Sequence, residues 1–174
     1  MSKIALRSLY EDSPSMGNGV NVGFGSLVEQ IALYDLDIDP EYQRERVWSV
    51  EKAQSFCGHA ITGGNILPIV VNEPPMVSAR RYEVIDGKQR LTSMLDWLNG
   101  KTAALVGDRL ITVDETDRRF NIGHGFRINF VRLSPLDVLK FYVRLNSGVA
   151  HTPEELDRVR AMIAAAEAVK KAGT

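Results

Sequence analysis

Apolar residues recur along this chain in two rhythms, and the switches between them mark its elements. The sharpest switch lies in YEVIDGKQRLTSMLDWLNG, residues 82–100. Tyr82, Val84 and Ile85 read as a short apolar strand, Asp86-Gly87 as a tight turn, and the remainder as an amphipathic helix. Leu91, Met94, Leu95 and Leu98 recur at i, i+3, i+4 and i+7, so one face of that helix is core. Asp86 stands where an N-cap belongs, and Asn99-Gly100 reads as the C-terminal stop.

The same reading divides the rest of the chain. Residues 1–25 carry a strand-like piece from Ile4 to Leu9, followed by a Gly-, Ser- and Asn-rich stretch that reads as an N-terminal arm or loop. Residues 26–174 then form one domain. A short helix capped by Ser26 covers 26–34, and Leu36 and Ile38 alternate with Asp35, Asp37 and Asp39 as a strand with an acidic outer face. Those aspartates could converge on a metal ion, but a solvated strand face is the simpler account. Ser49 caps a helix to about Thr62, with Val50, Ala53, Cys57, Ala60 and Ile61 facing the core. Strands follow at Pro68–Asn72 and Arg81–Ile85, then two short ones around Gly107-Asp108, then FRINFVRL, residues 126–133. Ser134-Pro135 starts a helix with Leu136, Leu139, Lys140 and Val143 at helical spacing. Thr152 and Glu155 form a capping-box pair ahead of a terminal helix, with Leu156, Val159, Ile163 and Ala166 on one side. That helix either packs on the domain or meets a partner, another copy of the chain included.

Composition narrows the class. The formal net charge is −1, so any nucleic-acid contact must come from a local basic patch. Arginines at 80, 81, 118, 119, 127, 132, 158 and 160 are the candidates for one, or else scattered charges balanced by acids. Cys57 is the one cysteine, which leaves no intramolecular disulfide and no thiolate zinc cluster and suits a reducing cytoplasm. No run of 18 apolar residues and no export signal is present, so the chain reads as a soluble protein of the cytoplasm, the host's if it is viral, with no membrane partner.

Candidate chemistry gathers at two places. The first turn after Gly87 carries Lys88, Gln89 and Arg90 beside free amides and the positive end of a helix dipole, a recipe for holding phosphate. Gly87 permits close approach by a ligand. The loop YQRERVW, residues 42–48, sets Gln43 and Arg44 between Tyr42 and Trp48. Either the aromatics anchor that loop while the charges stay wet, or the polar pair belongs to a site. His59 and His124 read as a surface and a turn residue.

Three segments, IDPEYQRERVWS, YEVIDGKQRLTSMLDWLNGK and FYVRLNSGVAHTPEEL, occur in an order that resembles the domain-of-unknown-function-262 family of the ParB/sulfiredoxin-like superfamily, over residues 26 to about 160. The resemblance implies an α+β fold, a small mixed sheet flanked by helices, with a phosphate site at the start of the helix after Asp86-Gly87. Relatives include phage-directed restriction systems in which this domain binds and hydrolyses nucleoside triphosphates. By resemblance, Gln43, Arg44, Gly87, Lys88, Gln89, Arg90, Arg144 and Asn146 bind nucleotide or phosphate. Asp86, Lys88 and Arg90 are the catalytic candidates, and Asp86 is also the candidate ligand for Mg²⁺. Lys88 replaces the family's usual glutamine. Many members carry an HNH nuclease signature, which none of the three histidines here forms.

The function implied is phosphoryl transfer from a nucleoside triphosphate, ATP or GTP, in DNA modification or defence, with DNA as partner. Water as acceptor makes an NTPase, and a hydroxyl on DNA or a modified base makes a kinase. The alternatives are a non-catalytic, nucleotide-gated DNA-binding module and a DNA nuclease.

Overall fold

The computed structural model describes residues 19–45, 47–74, 81–116, 124–146 and 153–172. Strand β1 (Gly19–Gly23) leads through a 3-10 turn into helix α1 (Leu27–Leu33). Helix α2 (Val50–Ile61), strands β2 (Ile69–Asn72) and β3 (Glu83–Asp86) and helix α3 (Lys88–Leu98) follow. A hairpin of β4 (Ala104–Val106) and β5 (Arg109–Ile111) precedes β6 (Gly125–Val131), α4 (Pro135–Asn146) and α5 (Pro153–Ala172). The architecture is the expected one, α+β with a small mixed sheet flanked by helices. Among the described residues, no helix is long and apolar enough to cross a membrane.

The main sheet has the order β1-β6-β2-β3. Strands β6 and β2 run parallel, and the outer pairs, β1 with β6 and β3 with β2, are antiparallel. Every residue of β2 is buried, because both faces of the sheet are covered. Ile69, Val71 and Val84 enter one core with Cys57 and Ala60 of α2 and Leu91, Met94 and Trp97 of α3. Val70 and Ile85 face the other way, against Val138, Phe141 and Tyr142 of α4 and Val159 of α5. The side-chain period of two thus sends neighbouring residues of one strand into two cores. Asn72 closes the end of the sheet: its amide donates to Glu83 at 3.1 Å, and its oxygen accepts from the Leu133 N–H at 2.9 Å.

Several expectations change. The part of residues 1–25 that is described, 19–25, is no loop: Gly19–Gly23 pairs along β6. Asp35–Asp39 is not a strand. Asp35 turns left-handed at φ 45°, and only Asp37 bridges to Glu83 beside β3. The three aspartates do not converge either. Asp35 pairs with Arg81, Asp39 with Lys88, and Asp37 accepts from the backbone of Asp39. Val50 is exposed in the first turn of α2. The buried stripe of α4 is Val138, Leu139, Phe141 and Tyr142, while Lys140 points out to Glu167 on α5 at 2.7 Å. That ion pair and the burial of Val159, Met162 and Ile163 dock α5 on the domain. Ser49 and Ser134 cap α2 and α4 as expected, and Cys57 is packed in the core. Ile4–Leu9 and Thr152 lie outside the described residues.

Helix α2 lies so close to β4 that a Cβ on Gly58 would sit 1.7 Å from the Leu105 carbonyl oxygen. Backbone cannot yield there as a flexible side chain would. Gly58→Ala is therefore expected to destabilise the domain by about 1–3 kcal/mol, as overpacking does. A urea midpoint unchanged from the parent would show that α2 can back away from β4.

Candidate functional site

The site begins where β3 hands over to α3. Asp86 is still strand, paired with Val70. Gly87 is the N-cap, at φ 98°, and no side chain caps the helix. A left-handed φ and a would-be Cβ only 2.4 Å from Cδ1 of Ile69 together require glycine here. The expected cap by Asp86 is therefore corrected. Asp86 lies one residue too early, and its Oδ2 instead accepts a hydrogen bond from Nη2 of Arg90 at 2.8 Å. The first-turn amides of Lys88, Gln89 and Arg90 have no acceptor inside the helix.

Loop 40–48 is laced to this turn. The Tyr42 hydroxyl donates to the Val84 carbonyl at 3.3 Å, and Nε2 of Gln43 donates to the same oxygen. Burial pushes the Tyr42 phenol far above its ordinary range, so it stays an O–H donor. Nζ of Lys88 donates to Asp39 and, at 2.8 Å, to the Arg44 carbonyl. Nε2 of Gln89 donates to the Glu45 carbonyl at 3.1 Å, and its Oε1 accepts from Val47 N–H at 3.2 Å. Gln43, Lys88 and Gln89 are all buried. Their polar ends are spent on holding the loop, so they shape the site from behind.

A cleft of about 350 Å³ opens over this junction. Gly87 and the α3 first turn line one side, Gln43 and Arg44 a second, and Tyr142, Leu145 and Asn146 of α4 a third. The Arg90 side chain is only 12% exposed, and its Nη1 is fully buried with no hydrogen-bond partner. Asp86 is half-exposed at the cleft, and among the described residues its hydrogen bond is made through Oδ2 and not Oδ1. Asn146 is turned partly onto its own helix, donating to the Tyr142 carbonyl at 2.8 Å.

Seven of the expected phosphate-binding residues thus come together with Asp86, and one does not. Arg144 projects from the exposed side of α4, over the ring of Phe141 at 5.5 Å, and does not line the cleft. Among the described residues no group of three His, Cys, Asp or Glu side chains is placed to hold a metal ion. Of the candidate arginines that are described, Arg81 pairs with Asp35, Arg132 with Glu73 and Arg160 with Asp157, while Arg127 donates to Asn129 and Arg158 to the Glu41 carbonyl. Arg80, Arg118 and Arg119 lie outside the described residues.

A family model described as "GmrSD restriction endonuclease, N-terminal domain" matches residues 24–146, most of the chain. The chain belongs to this family. The GmrSD N-terminal match spans both the junction and the α4 wall of the cleft. No curated protein matches the chain. Among solved structures it is similar to the C-terminally truncated chromosome-partitioning protein ParB from Caulobacter crescentus complexed with CTP-gamma-S, at 17% identity and a TM-score of 0.44. That likeness covers 78% of this chain, which spans 56% of the ParB chain.

Sequence reading did not find Lys52 as a site residue of this GmrSD-family domain, and weighed Trp48 only as a loop anchor. Both line the cleft, with Nζ of Lys52 at 4.9 Å from the Trp48 ring centroid. The signal was their i, i+4 spacing across the Ser49 cap, which brings two side chains to one side of a helix start.

Gln89→Ala removes the acceptor of Val47 and the donor to Glu45 at once. Amide exchange at Val47 is expected to quicken on the order of tenfold, while amides in the middle of α3 keep their protection. Equal protection in parent and variant would mean the loop is held by other contacts.

Proposed function

We propose that this domain binds a nucleoside triphosphate with its phosphates at the start of α3, and transfers the terminal phosphoryl group as part of a DNA-defence system. The observation that carries this reading is Arg90, a cleft-lining residue whose Nη1 is buried with no hydrogen-bond partner among the described residues. An unmet buried donor costs about 1–3 kcal/mol, more for a charged group. A phosphate oxygen would meet it, and the same anion would cap the first-turn amides that no side chain caps. Membership of a restriction endonuclease family supports the setting in DNA defence.

Roles follow from the contacts. Asp86 holds Arg90 through Oδ2, which keeps the guanidinium aimed along the first turn. Its Oδ1 and its exposure fit Mg²⁺, an ion that takes one or two carboxylates and completes its shell with phosphate and water. When bound there, Mg²⁺ would neutralise charge on the transferring phosphate. Arg44 supplies a second cation from the loop wall. Lys88, with its ammonium on Asp39 and the Arg44 carbonyl, is a positioning residue that sets where Arg44 stands. Gln43 and Gln89 hold the same loop, and Asn146 faces it from α4. The acceptor is water in an NTPase and a hydroxyl on DNA in a kinase, with ATP or GTP as donor.

The test is incubation with γ-labelled ATP or GTP, Mg²⁺, and plain or base-modified DNA. Label should move to phosphate or to DNA. Arg90→Ala should slow that transfer by at least about 10²-fold, the usual loss of one preorganised donor at developing charge. Asp86→Ala should lower it too. If no nucleotide loses phosphate with or without DNA, phosphoryl transfer is wrong. The family's description also supports a second reading, DNA cleavage, which nicking of supercoiled plasmid would reveal.

A further inference from the structure

The cleft lining is of two chemistries, and only one of them suits phosphate. From the β3–α3 junction come Gly87, Asp86 and Arg90. From the loop before α2, from α2 and from the chain before β2 come Trp48, Lys52 and Leu67, and from α4 comes Leu145. Leu67 is 71% exposed and Leu145 37%, large apolar side chains left uncovered at the mouth of a charged cleft. A bare anion would gain nothing from them.

Trp48 is built to stay in place. Gln89 Oε1 accepts from its backbone N–H at 3.4 Å, a long contact. Its ring leans on Phe56 at 5.4 Å with the two planes at 64°. Phe56 in turn stacks on Phe126 of β6, so the indole is braced through to the sheet. Yet Trp48 is only half-buried and its ring lines the cleft. Lys52 is exposed, its Nζ at 4.9 Å from that ring. A braced aromatic plane, an exposed cation and flanking aliphatic side chains make a platform for a flat heteroaromatic ring.

We infer that Trp48, with Lys52 and Leu67, forms a subsite for the nucleobase of the nucleotide whose phosphates meet Arg90. This rests on the triphosphate reading above and adds which part of the cleft would take the other end of the ligand. Stacking on Trp48 would make the protein prefer a nucleotide over its phosphate chain alone. Because Gln89 touches both the Trp48 amide and the loop carbonyl at Glu45, the base and phosphate ends share one support.

Calorimetric titration with inorganic tripolyphosphate, and with ATP, GTP, CTP and UTP each in turn, separates the two ends. The best nucleotide should bind on the order of tenfold or more tighter than tripolyphosphate, the scale of one aromatic–base stack. It should also change the fluorescence of Trp48, since Trp97 is fully buried with its indole N–H on the Ile111 carbonyl. Trp48→Leu should erase the advantage of nucleotide over tripolyphosphate, and Arg90→Ala should weaken both ligands. Lys52→Ala, an exposed change that leaves the core untouched, should narrow the gap even if Trp48→Leu fails to fold. If tripolyphosphate and every nucleotide bind the parent equally, or if the gap survives both Trp48→Leu and Lys52→Ala, the base subsite is overturned while the phosphate site stands. If nothing binds, both fall.

Discussion

The buried polar lacing between the first turn of α3 and loop 40–48 is the constraint on which the cleft depends. Side chains from a helix start normally look outward to water. Here Lys88 and Gln89 turn back and spend their donors on backbone carbonyls of Arg44 and Glu45. A segment without regular structure needs some such account of its backbone groups, because buried carbonyls and amides go unpaired only at a cost. The Lys88–Asp39 pair is lopsided, the ammonium 8% exposed and the carboxylate 73%. Asp39 therefore keeps most of its hydration while answering the buried charge, and the Arg44 carbonyl takes a second proton of the ammonium. The loop inherits the rigidity of a helix that is itself pinned by Leu91, Met94 and Trp97 in the core.

The elements were legible where one rhythm ran unbroken. The apolar run at 69–72, the helix at 88–98 and the hairpin around Gly107 all stand where the pattern puts them. The pattern failed where a partner far along the chain decides. Gly19–Gly23 has little strand propensity of its own, and β6 makes it a strand. Asp35–Asp39 alternates well, yet the turn out of α1 leaves room for one bridge only. At the site, residue types near Gly87 announced an anion, and the cleft contains nearly all of them. What spacing could not reveal was the direction of each side chain. Lys88 resembles a phosphate ligand in sequence and is a loop fastener in space, while Asp86 resembles a cap and is a partner of Arg90. Arg144, two residues from Asn146 on the same helix, faces elsewhere because neighbours at that spacing do not share a helical face.

An arginine with an unmet donor beside a cleft also bears on stability. Segments from loop 40–48, α3 and α4 line that cleft, and an anion bound in it would bridge all of them. Whatever binds the folded form and not the unfolded one raises stability by mass action. Occupancy of the cleft would then be felt on both faces of the sheet, because α3 belongs to one core and α4 to the other.

The strand order has a consequence for how the chain is born. Val20 of β1 and Ile69 of β2 both find their partner at Ile128 of β6. During synthesis β1 emerges early and must wait for β6, the one strand it pairs with among the described residues. The β2–β3 pair can form sooner, but its central edge stays open until β6 slots in beside it. A ribosome-bound chain ending short of β6 would expose that edge and the apolar faces of α2 and α3, the kind of surface on which chaperones act. The main sheet of this domain therefore cannot be completed until β6 has emerged.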